Sequence, residues 1–207
     1  MNSLTPSEKS FLLSLNSAIN IQRYLDNIDF NHEEDGETCR SPREVLKHKK
    51  AHCLEGAMLA STALALHGRP PQILSLKVID KDYDHVVALY KENGYWGAIS
   101  KTNHAVLGFR DPIYKTIREL ALSYFHEYFL ATNGEKTLRG YSRPINMNRF
   151  GTSWVTSSDN LFTIAVTICD AYHTPIIPKG NEQFIRRATS LEREAASISC
   201  DGKHDGK

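Results

Sequence analysis

Cys53 lies in the run Lys49-Lys50-Ala51-His52-Cys53-Leu54-Glu55-Gly56-Ala57, where a short basic stretch gives way to alanine-rich sequence of helical character. A thiol in the first turn of a helix meets unpaired backbone N–H groups and the positive end of the helix dipole, which favour thiolate over thiol. Lys49, Lys50 and His52 add positive charge or a source of it, so Cys53 is a candidate nucleophile. The same N–H groups are placed to stabilise an oxyanion on a carbonyl under attack. Such chemistry also needs a proton acceptor and a third group that orients it. His85, which opens a strand-like run after Lys81-Asp82-Tyr83-Asp84, is the candidate acceptor. The plainer alternatives are that Cys53 is a small core residue, that His85 is a satisfied structural histidine, and that Asp84 caps the turn.

The chain between these residues has to fold back for them to meet. Residues 53–67 predict a helix whose apolar positions cover most of its circumference, so it is expected to be buried on several sides. Gly68 reads as its C-terminal cap, with Pro70 and Pro71 beyond. Strand-like runs follow at Gln72 to Ile79, His85 to Tyr90 and Tyr95 to Ser100. If Lys91 to Gly94 closes a regular hairpin, Tyr90 faces Tyr95 and His85 faces Ser100.

Upstream, Thr5-Pro6-Ser7-Glu8 and Ser41-Pro42-Arg43-Glu44 each read as a helix start, and Ile19, Ile21, Leu25 and Ile28 suggest a helix between them. His32 to Thr38 reads as a polar loop. Downstream, Ala105 to Phe109 is strand-like, and Asp111-Pro112 reads as the cap and first residue of an amphipathic helix ending near Asn133-Gly134. Residues 140–158 look loop-like, and Leu161 to Tyr172 fits a buried helix or a strand. The expected class is α+β, with a Cys-bearing central helix packed on a small antiparallel β-sheet and extra helices at both ends. One domain spans 1–178 with its core at 41–130, and 179–207 is a polar extension, partly helical or disordered.

Composition sets limits on function. A formal net charge of +1 over 207 residues, with 41% hydrophobic and 24% charged residues, gives no broad field for nucleic acid or a membrane surface. Four cysteines (Cys39, Cys53, Cys169, Cys200) without CxxC spacing read as free thiols in a reducing, cytoplasmic setting. No signal-peptide core and no membrane-length apolar run is recognised. No metal or cofactor motif is expected: His126-Glu127 reads as packing plus a solvated edge, and His104 and His173 have no ligand-spaced partners. Gly134, Gly140 and Gly151 do not form a phosphate loop, Trp154 fits either a cleft wall or the core, and Glu55 is expected to be solvated.

The runs Ser41-Pro42-Arg43-Glu44-Val45-Leu46, His52-Cys53-Leu54-Glu55-Gly56-Ala57, His67-Gly68-Arg69-Pro70-Pro71, Asp84-His85-Val86-Val87-Ala88 and Gly94-Tyr95-Trp96-Gly97-Ala98 occur in that order. The arrangement resembles the transglutaminase-like superfamily of papain-type cysteine enzymes over roughly residues 41–112. The resemblance implies that Cys53 is the acyl-accepting nucleophile and His85 its base. The family's third member is usually an Asp on the strand after the histidine, and here that position, counted from Trp96, is Ser100. A serine can orient an imidazole but cannot balance imidazolium charge. Asn103, slightly further on, is the other orienting candidate, while Asp111 echoes the family's Asp-Pro but is better explained as a helix cap.

Two functions follow as expectations. One is a cysteine-dependent amide hydrolase, protease or acyl transferase acting on a peptide, protein or small amide. The other is a catalytically impaired binding or scaffold module that keeps the fold, with an acyl-CoA-dependent acetyltransferase as a third, less supported option.

Overall fold

The structure, a computed structural model, describes residues 4–197. Cys200 and the polar end expected to be disordered lie outside the described residues. Helix α1 (Pro6–Ser14) starts where expected: Thr5 and Glu8 cap each other's backbone N–H groups. Helix α2 (Ala18–Asn27) buries Ala18, Ile21, Gln22 and Leu25. A short parallel pair, β1 (Asp29–Phe30) with β2 (Lys50–Ala51), brackets α3 (Pro42–His48) and leads straight into α4 (Cys53–Leu66). Helix α4 ends at His67, with Gly68 at φ +75°, the left-handed stop expected of it.

The strands β3 (Gln72–Val78), β4 (His85–Glu92), β5 (Tyr95–Ile99), β6 (Arg110–Tyr114), β7 (Leu138–Ser142), β8 (Ile145–Asn146) and β9 (His173–Pro175) form one antiparallel sheet. Its order is β6-β5-β4-β3-β7-β9, with β8 pairing the start of β3. Helices α5 (Ile117–Phe125), α6 (Phe162–Cys169) and α7 (Ser190–Ala196) complete the described chain. Alternation along the strands splits the core into two. Ile73, Val86, Ala88, Tyr90 and Ile99 face α4, together with buried side chains of α1, α2, α3 and α6. Leu74, Leu76, Val87, Leu89 and Ala98 face Leu120, Ala121 and Tyr124 of α5. The architecture is α+β. Among the described residues no helix is long and apolar enough to cross a membrane.

Several local expectations are corrected. The β4–β5 turn is the dipeptide Asn93-Gly94, both at positive φ (+50° and +86°), as a tight hairpin turn requires. Glu92 therefore pairs with Tyr95 and Ala88 with Ile99, a register two residues away from the expected one. An even shift keeps every side chain on its expected face, so His85 and Ser100 remain on one face as diagonal neighbours.

Asp111-Pro112 does not start a helix but lies in β6, an edge strand where proline's missing N–H is tolerated, and Asp111 is exposed. The helix waits until Ile117 because Thr116 and Glu119 form its capping box, and it ends at Phe125 rather than near Gly134. Ala105–Leu107 is a single 3-10 turn instead of a strand. The presumed loop at 140–158 contains β8 and the end of β7, held by pairing to β3. Residues 162–169 are helical, with Ile164 and Ile168 buried and the β-branched Val166 turned outward.

Helix α4 and the chain after β5 approach more closely than a side chain at residue 56 would permit. A Cβ added to Gly56 would stand 2.4 Å from Lys101 Cβ. Lys101 is itself buried and fixed, its Nζ donating to the carbonyls of Leu25 (2.8 Å) and Ile28 (2.6 Å) at the end of α2. Gly56→Ala is therefore expected to cost about 1–3 kcal/mol by overpacking. A urea titration of the variant should show a lower midpoint with the slope unchanged.

Candidate active site

Cys53 is the first residue of α4, and the N-terminal cap is His52 in extended backbone conformation. His52 Nδ1 accepts from the Leu54 N–H (3.3 Å), and Nε2 donates to the Thr38 carbonyl (3.1 Å). Glu55 Oε2 accepts in return from the His52 N–H at 3.0 Å. Glu55 is fully buried, contrary to the solvated position expected for it. Its carboxylate also accepts from Arg40 N–H (2.8 Å), Thr38 Oγ1 (2.8 Å) and Asn31 Nδ2 (3.1 Å). These donors replace the water a buried carboxylate would lose, and they tie the 31–40 loop to the turn that carries Cys53.

Cys53 is half-buried as a residue, whereas Cys39 is buried. Its sulfur lies 4.0 Å from the carbonyl oxygen of Asp84, the residue immediately before β4. Asp84 itself caps the turn: its carboxylate accepts from the Val78 N–H (2.9 Å) and pairs with Lys77 Nζ (2.8 Å). Burial alone would push the Cys53 thiol up, but hydrogen bonds from His52 and His85, and the charge of the two rings, bring it down to about 5. The two imidazoles, rather than Lys49 and Lys50, supply the positive potential at the sulfur. Burial acts to lower His52, while the Cys53 sulfur and the Glu55 carboxylate raise it to about 9. A proton on its Nδ1 would displace the Leu54 N–H, so charging His52 competes with its capping of α4.

His85 is buried at the start of β4, its ring edge-on to Tyr124 with centroids 6.5 Å apart. Its Nε2 is 2.8 Å from Ser100 Oγ. The Ser100 hydroxyl donates its one hydrogen to the Leu107 carbonyl, also at 2.8 Å. Ser100 Oγ is then an acceptor toward the ring, which assigns the hydrogen of neutral His85 to Nε2. Nδ1, with its lone pair, is the nitrogen left for the Cys53 thiol. The 3-10 turn at 105–107 thus contributes to the site by presenting the Leu107 carbonyl to Ser100.

The structure brings Cys53, His85 and Ser100 together. Asn103 is buried in the bend after β5, and the partner at His85 Nε2 is Ser100. Asp111 stands exposed on β6. Glu127 pairs with Arg110, His173 Nε2 meets Ser75 Oγ at 3.0 Å, and Trp154 is a core residue. Among the described residues no group of three or more His, Cys, Asp or Glu side chains is placed to hold a metal ion. Compared with known proteins, the chain matches no family profile and no curated sequence. The sequence reading missed Gln22, Glu55 and Lys101. The available signals were a glutamine at helical spacing among Ala18, Ile21 and Leu25, and a Glu at the third position of a helix whose cap is an unusual histidine; Lys101, between Ser100 and Thr102, carries no such signal.

The thiol environments differ enough to be separated by alkylation. Burial, with repulsion from Glu55, pushes the Cys39 thiol up to about 12, while Cys53 titrates near 5. The reactive thiolate of Cys53 forms as pH rises through that value. At pH 6, iodoacetamide followed by peptide mapping of the native protein should label Cys53 at least about tenfold faster than Cys39 or Cys169. Equal rates below neutral pH would remove the case for an activated thiol.

Proposed function

We propose that this protein is a cysteine-dependent enzyme of transglutaminase-like architecture that cleaves or transfers the acyl group of an amide. One observation carries the reading: Cys53 opens a buried helix with His52 and His85 acting on its thiol, and Nε2 of His85 is bonded to Ser100. Cys53 Sγ attacks the substrate carbonyl carbon, and its proton resides on His85 Nδ1. The backbone N–H groups in the first turn of α4 are the donors for the oxyanion. Collapse of the tetrahedral intermediate breaks the C–N bond, His85 gives its proton to the leaving amine, and a thioester remains on Cys53. Water or a second amine then attacks the thioester, with His85 Nδ1 accepting its proton. Collapse of this second intermediate breaks the C–S bond, releases the acid or new amide and restores the Cys53 thiolate with the proton on His85. The acceptor decides between hydrolysis and transamidation, and the substrate is a peptide, protein or small amide.

Ser100 orients the ring but adds no negative charge to balance the imidazolium. That balance falls to the Cys53 thiolate itself, so the ion pair and the orienting bond depend on each other. The free thiols of Cys39, Cys53 and Cys169 support a reducing, cytoplasmic setting for this chemistry.

The test is a panel of peptide amides and aryl amides, with and without added amine, and intact-mass detection of an acyl adduct. Wild type is expected to form an adduct that maps to Cys53. Cys53→Ala should abolish both adduct and turnover, and His85→Ala should lower kcat/KM by about 10²–10⁴-fold. Turnover by Cys53→Ala at the wild-type rate would sink the proposal. A wild-type chain that forms no adduct and shows an ordinary thiol titration would favour the binding-module alternative.

A further inference from the structure

The buried stripe of α2 contains one residue that packing does not explain. Ala18, Ile21 and Leu25 are apolar, but Gln22 between them is equally buried. An amide left buried and unpaired is destabilising. Gln22 is fully paired. Its Oε1 accepts from the Ser100 N–H (2.9 Å), and its Nε2 donates to the Ser100 carbonyl (2.7 Å) and to Asp26 Oδ1 (2.7 Å). Because the Asp26 carboxylate only accepts, it fixes which end of the amide is the NH₂ group. Ser100 lies just past Ile99, the last residue of β5, so both of its main-chain groups have left the strand ladder. Gln22 supplies the donor and acceptor that another strand would have given. The adjacent Lys101, bonded to the Leu25 and Ile28 carbonyls, clamps the same dipeptide to the same helix.

We infer that Gln22 is a positioning residue for the base of the reaction: by holding the Ser100 main chain it sets where Ser100 Oγ lies, and thereby the tautomer and aim of His85. The inference rests on the Cys53–His85–Ser100 reading above and extends it to a residue with no bond to sulfur or imidazole. The Ser100 hydroxyl must reach His85 Nε2 and the Leu107 carbonyl at once, both at 2.8 Å, so a small displacement of residue 100 breaks one bond or the other. Without its Nε2 partner the neutral ring populates both tautomers, and the ring of the ion pair no longer holds its Nδ1–H on the Cys53 thiolate, which weakens the pair and raises the thiol.

The experiment compares Gln22→Met, which keeps length and packing but cannot bond, with Leu25→Ala on the same buried face of α2. The readouts are the pH profile of Cys53 alkylation and the ¹⁵N shifts of the His85 ring, the latter recorded in a Cys53→Ala background with the ring neutral. Gln22→Met should raise the alkylation midpoint by about half a pH unit or more and move the ring shifts toward a tautomer average. Leu25→Ala should lower Tm and leave both readouts unmoved, which a purely structural role for Gln22 would also do. Ser100→Ala should reproduce the Gln22→Met shift, and the double variant should add nothing further. Gln22→Asn, one methylene too short to bridge both groups, serves as the second variant if Gln22→Met does not fold. A wild-type midpoint and wild-type ring shifts in either folded variant overturn the inference. If Ser100→Ala also leaves the midpoint unmoved, the Ser100 role falls with it. If Ser100→Ala shifts the midpoint and the Gln22 variants do not, only the Gln22 role falls.

Discussion

A helix buried along nearly its whole length cannot leave its first turn unpaired, and α4 is such a helix from Leu54 to Leu64. Its N-terminal N–H groups lie where water is scarce, so other parts of the chain must satisfy them or the adjoining backbone. His52 and Glu55 do so by capping each other, and Glu55 then draws the backbone of Arg40 and the side chains of Thr38 and Asn31 into the same cluster. The loop at 31–40 and the β1–β2 pair are held in place by this requirement. Cys53 stands at the point where that buried helix end reaches the surface.

The two imidazoles at the sulfur are bonded in different ways, and that sets what each can do. His52 is bonded on both ring nitrogens, to Leu54 N–H and to the Thr38 carbonyl, and it gains charge only at the expense of the cap. His85 has one nitrogen committed to Ser100 and the other available to the thiol. On the proposed reading His85 moves the proton and His52 shapes the potential in which it moves. A carboxylate at the Ser100 position would act mainly through charge. A serine acts through direction, and it can do so only because the Leu107 carbonyl takes its hydrogen.

The parts of this arrangement that were legible in sequence are those fixed by local rules. Thr5 and Ser41 announce helices, Gly68 ends one, and the apolar circumference of residues 54–64 announces a buried one. The order of Cys53 and His85 and the shared face of His85 and Ser100 were also readable, because an error of two residues in the hairpin leaves the face unchanged. What could not be read depends on partners distant in the chain. Glu55 looks solvated until Asn31, Thr38 and Arg40 are seen around it. Asp111-Pro112 looks like a helix cap until the sheet edge takes it. Asn103 and Ser100 were equal candidates because nothing local says that residues 105–107 fold back onto Ser100.

The bond between Gln22 and Ser100 joins residues 78 positions apart in sequence, and Cys53 lies between them. On the proposed reading, no segment shorter than the stretch from α2 to the 3-10 turn after β5 contains every group on which the thiol's acidity depends. An unfolded or half-assembled chain would carry an ordinary, mostly protonated thiol at Cys53, with a much smaller thiolate fraction. On the proposed reading its nucleophilicity requires α2 to be docked on the chain after β5, far from the sulfur.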